Sequence, residues 1–206
     1  MNFSLTDVAF AMISVTLAFM VHEYAHGYFA YMLGDPTPKY EGRLTVNPLV
    51  HLDPVGSLVM LTSIIAFHGQ LVMGWGKPVR FDESNLKHPK IDGAIIALGG
   101  PFANFMLVLI TSLLLHLGVP IGAFAVTLIA ANLGFGLFNC LPFPPLDGWK
   151  ILRSAMPDSI AASMQRIEQK IGVFGVVILL LLSGPIVNPI LVPIFHELMV
   201  VLIPTP

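Results

Sequence analysis

Two histidines four residues apart enclose a glutamate in His22-Glu23-Tyr24-Ala25-His26. These side-chain types hold metal ions and move protons beside them. On a helix, residues i and i+4 share a face, so His22 and His26 can aim two imidazoles at one ion. Glu23 lies one residue round from His22, close enough to act on a water at that ion without binding it. The chemistry open to such a set is metal-assisted hydrolysis. The setting adds weight, because the motif stands in the apolar run 8–33, with no charged residue between Asp7 and His22. An ionisable side chain at bilayer depth costs from about 2.5 kcal/mol upward and usually marks a site.

The element that must carry this motif is a membrane-spanning helix, since about 20 residues rising about 1.5 Å each cross the hydrocarbon core. Composition agrees. Of 206 residues, 55% are hydrophobic and only 11% charged, with a mean hydropathy of +0.82. Soluble domains carry about 25% charged residues, so the composition is that of an integral membrane protein. The net charge of −2 is uninformative, and without a basic patch no nucleic-acid partner is expected. One cysteine, Cys140, excludes an internal disulfide framework. No cleavable signal peptide is expected, because residues 1–7 lack Lys and Arg and cleavage near residue 30 would discard the motif. With no repeat or long polar linker, residues 1–206 are expected to form one membrane domain.

Further apolar segments are predicted at 55–73, 93–117 and 121–141, an amphipathic helix at 157–170, and either a span or a hairpin at 173–203. Stretches around 43–46 and 74–81 are strand-like. The fold class is therefore an all-α polytopic bundle of about 4–6 membrane segments with short strand-like membrane-associated loops.

A catalytic zinc site normally has three protein ligands and an open position. The candidates for the third are Asp147, Cys140, His116, His68 and His196. Asp147 stands out: Pro142, Pro144 and Pro145 break any helix before it, and Gly148 frees the backbone after it. His51 and His68 flank the second apolar segment, where they would line a site mouth or simply sit in a turn.

Three motifs in order complete the pattern: His22-Glu23-x-x-His26, Gly100-Pro101-Phe102-Ala103-Asn104, and Asn139-x-x-Pro142-x-x-x-x-Asp147-Gly148. On these the chain resembles the site-2 protease family of intramembrane zinc metalloproteases, as a minimal member without PDZ or CBS domain. The resemblance implies one Zn2+ per chain held by His22, His26 and Asp147, with Glu23 as general base. It implies transmembrane segments of other membrane proteins as substrates and the lipid bilayer as surroundings. Asn104 and Asn139 would hydrogen-bond a tetrahedral intermediate or an unwound substrate backbone, or else pack helices. The strand-like stretches would offer an edge to substrate. The alternative from another class is a divalent-metal transporter or metal-sensing membrane protein, in which Glu23 has no duty.

The proposed ligands also constrain topology. His22 and His26 lie in the later half of the first span, and Asp147 follows the fourth apolar segment. One ion can reach both only if the crossings are odd in number, which makes 55–73 re-entrant or interfacial. All ten Lys and Arg, from Lys39 to Lys170, then fall on one side, with Lys39, Lys87 and Lys150 together. The positive-inside rule makes that side cytoplasmic and places the site within the cell membrane nearer the cytoplasm.

Overall fold

A computed structural model describes residues 3–69, 72–172, 174–175, 178 and 187–204. Helix α1 (Leu5–Met32) begins at a capping box, in which Asp7 N–H donates to Ser4 Oγ and Ser4 N–H returns to Asp7 Oδ2. Its 28 residues rise about 42 Å, more than the hydrocarbon core requires. Two short helices follow, α2 (Thr37–Tyr40) and α3 (Pro48–His51), and then α4 (Pro54–Ala66), capped by Asp53 Oδ1 on Gly56 N–H. After α4 the chain reverses through His68 and Gly69, both at positive φ.

Three more helices build the bundle and its rim: α5 (Pro89–His116), α6 (Gly122–Asn139) and α7 (Asp147–Ala155). The amphipathic α8 (Asp158–Ile171) and the apolar α9 (Asn188–Leu202) complete the described chain. The choice between span and hairpin within 173–203 turns largely on residues 179–186, outside the described residues. The protein is an all-α membrane bundle in which α1, α5 and α6 are long and apolar enough to cross a bilayer. Helix α4, at 13 residues, rises only about 20 Å. It packs instead along the first half of α1, with Ala11, Met60 and Ile64 in one cluster.

Between the three long helices lie small and polar side chains, among them Ala18, Ala25, Ala30, Asn104 and Asn132, all buried. Their outer faces show Phe102, Leu109, Ile110 and Leu113. That inversion is expected where lipid replaces water, since close packing and interhelical hydrogen bonds then hold helices together. Cross-links tie the segments that bear the basic residues at one end. Asp35, fully buried just past α1, accepts from Asp82 N–H (2.7 Å) and Asn85 Nδ2 (2.8 Å). Arg153 of α7 pairs with Glu83 (3.2 Å), and Lys90 of α5 with Asp158 of α8 (2.9 Å).

The strand-like stretches form no strand among the described residues. Only one antiparallel bridge links Leu52 and Gly76, with Lys77 N–H on His51 O. The physical reason lies in the next two residues. Pro78 has no N–H to extend a ladder, and Val79 donates its own to the Glu23 carboxylate.

Candidate metal centre

Helix α1 presents His22 and His26 on the face that meets α5, and α7 brings Asp147 over them at its first residue. Asp147 Oδ2 lies 3.0 Å from His22 Nε2 and 3.2 Å from His26 Nε2, and all three side chains are buried. One ligand atom from each lies within 4.8 Å of the others. Glycines make this approach possible. A Cβ on Gly100 of α5 would stand 2.6 Å from His22 Cε1 and from His26 Nε2. One on Gly148 would run into the carbonyls of Cys140 and Leu141, so α7 starts hard against the end of α6.

The hydrogen bonds behind the ligands decide what the front can do. His22 Nδ1 lies 2.7 Å from Asn104 Oδ1, and His26 Nδ1 lies 2.7 Å from the carbonyl oxygen of Ile96. Both partners only accept, so each Nδ1 carries the hydrogen, and in the neutral ring that binds metal each Nε2 shows a lone pair. Those two lone pairs face Asp147 Oδ2, a buried oxygen with no hydrogen-bond donor. Three acceptors converging in a buried space repel one another unless a proton or a metal cation lies between them. Their spacing fits one. The edge of a tetrahedron with zinc–nitrogen bonds of about 2.0–2.1 Å is roughly 3.3 Å. The residues present therefore fit a divalent metal ion with zinc's ligand preferences. Lys150, one turn along α7, donates to the other carboxylate oxygen, Asp147 Oδ1, at 3.2 Å. This leaves Oδ2 as the oxygen turned inward.

Glu23 is buried beside this group and outside it; its Oε2 accepts the Val79 N–H at 2.6 Å. Asn104 is turned towards His22. Its amide nitrogen donates to Ala18 O and to Asn132 Oδ1, both at 2.9 Å. Asn139 donates to Phe135 O within its own helix. The remaining candidates stand apart from the donor group: His51 bonds Thr45 O, His68 meets the Phe3 ring edge-on, His116 bonds Ser112 O, and His196 and Cys140 are exposed. Sequence reasoning missed several of these partners. Asn132 left a signal, a polar side chain in an apolar span, and so did Lys150, one helical turn from Asp147. The Ile96 carbonyl left none, since every residue carries one.

The fold and this centre together define a class: a polytopic membrane protein whose buried His22, His26 and Asp147 fit a metal ion. Comparison carries the assignment further. A protein of Bacillus subtilis named "Putative zinc metalloprotease YwhC" is 33% identical over 207 residues, covering 94% of this chain and 89% of that protein. "Putative zinc metalloprotease Rip2" of Mycolicibacterium smegmatis is 32% identical over 142 residues, 66% of this chain and 53% of its own length. No family model and no solved structure matches the chain. The chain belongs to the site-2 protease family of zinc metalloproteases.

Proposed function

We propose that the chain is a zinc-dependent intramembrane endopeptidase that cleaves peptide bonds in or near transmembrane segments of other membrane proteins. The observation that carries this reading is the convergence of His22 Nε2 and His26 Nε2, from a helix long enough to cross a bilayer, on Asp147 Oδ2 of α7, with Glu23 beside them. His22, His26 and Asp147 hold one zinc per chain. Zinc, when bound, supplies the Lewis acidity that lets a water lose its proton near neutral pH and that polarises the scissile carbonyl. Glu23 takes that proton on its carboxylate and passes it to the leaving amine nitrogen. The Val79 N–H steadies the carboxylate at Oε2 while it does so. Asn139 is assigned to the substrate backbone. The end gathering the basic residues faces the cytoplasm, and the centre lies within the bilayer nearer that side.

The test is cleavage of a membrane-protein substrate by wild type and by Glu23→Gln, with zinc quantified in both. The expected result is lost cleavage with zinc retained near one per chain. Full activity in Glu23→Gln would overturn the catalytic assignment. Loss of zinc from a normally folded variant would move Glu23 among the ligands.

A further inference from the structure

We infer that Asn132, on α6 and remote from the ligand atoms, is a positioning residue that acts through Asn104 to hold His22 in its metal-binding tautomer. The inference rests on the reading that His22, His26 and Asp147 hold zinc.

An amide can present either its oxygen or its nitrogen to a neighbour, and His22 Nδ1 would accept a hydrogen as readily as donate one. Two acceptors remove that freedom. The Asn104 nitrogen faces the Ala18 carbonyl, which has no hydrogen to give, and Asn132 Oδ1. Asn132 is itself committed, because its Nδ2 donates to the Leu128 carbonyl one turn back. Its oxygen must then be the end that meets Asn104. Both amide hydrogens of Asn104 are thus engaged, its oxygen is the atom facing His22, and His22 must donate from Nδ1. In the neutral imidazole, Nε2 is then left as a lone pair directed at the metal position. Asn104 and Asn132 are fully buried, so bulk water does not compete for these bonds. The chain of bonds links α6 through α5 to α1, and it makes Asn104 a positioning residue instead of a donor to the reacting carbonyl.

Partners behind metal-bound histidines are commonly worth about 10–100-fold in metal affinity. Zinc dissociation constants are to be measured by chelator competition on the full chain in detergent, for wild type, Asn104→Leu, Asn132→Leu and the double variant. Isotope-labelled histidine spectra of the zinc-loaded wild type and Asn132→Leu report each Nδ1 proton. Asn132→Leu is expected to weaken zinc about tenfold and to speed exchange of the His22 Nδ1 proton, leaving that of His26 unchanged. In the Asn104→Leu background the same substitution should add nothing, because the relay is already cut. An equal loss in both backgrounds would mark Asn132 as scaffold alone and overturn the proposal, as would unchanged affinity in a folded variant. If Asn132→Leu does not fold, Asn132→Ser, which draws the polar group back from Asn104, faces the same outcomes. Absence of a hydrogen on His22 Nδ1 in the zinc-loaded wild type would refute the proposal without any variant. A wild type that binds no zinc would instead refute the metal reading beneath it.

Discussion

At the scale of single residues, the centre depends on one side chain that is missing and one that is charged. Gly100 leaves the space in which the two imidazoles stand, and a methyl group there would sit 2.6 Å from both rings. Gly100→Ala is expected to push the rings apart and weaken zinc by about 10–100-fold, the scale on which disturbed ligand support lowers metal affinity. Chelator competition beside a thermal unfolding scan separates this from general destabilisation. Asp147 brings the only negative charge of the three-residue group, and its inward oxygen has no donor. Asp147→Asn should therefore lower both metal content and cleavage far more than Cys140→Ser, whose thiol stands outside the group. Metal content lowered by the cysteine change alone would refute the ligand set.

At the scale of elements, the extended segment 72–82 is what separates this fold from a plain helical bundle. It crosses beside α1, gives Glu23 its backbone donor at Val79, and is anchored where Asp35 accepts Asp82 N–H. Burial alone would raise the pKa of Asp35, but hydrogen bonds from Thr37, Asp82 N–H and Asn85 outweigh it and hold the carboxyl below the ordinary 3.8. A folded pKa below the unfolded one adds stability that is complete above the ordinary value and lost as pH falls through the depressed one. The unfolding temperature in detergent should accordingly drop below about pH 4. Asp35→Asn should remove that component and cost about 1–3 kcal/mol by leaving buried donors poorly matched. An acid limb of the same size in Asp35→Asn would show that other groups cause it.

At the scale of the whole molecule, three helices among the described residues are long enough to cross, an odd count, and the short α4 lies along α1. The ion pairs Arg153–Glu83 and Lys90–Asp158 already join the basic segments at one end. Single cysteines at positions 39, 87 and 170, in a Cys140→Ser background, are expected to react with a membrane-impermeant thiol reagent from the cytoplasmic side. One at position 119, in the turn between α5 and α6, should react from the opposite side. Labelling of 39 and 87 from different sides would mean that the segment between them crosses, and the proposed orientation would fail.

What the sequence by itself determined is what helix geometry makes local. The i, i+4 spacing puts His22 and His26 on one face wherever the helix lies, and an apolar run of sufficient length specifies a span without reference to its neighbours. The prolines before Asp147 and the glycine after it likewise announce the start of α7. The tertiary structure decided what depends on competition for a hydrogen bond. The Val79 N–H suits a strand ladder and a carboxylate equally well, and only the passage of its segment beside Glu23 settles the matter. The same holds for Asn104, whose amide suits a substrate or an imidazole until Ala18 and Asn132 occupy its nitrogen. Such partners lie 82 and 28 residues apart, and the backbone carbonyl that holds His26 belongs to a residue chosen by packing alone.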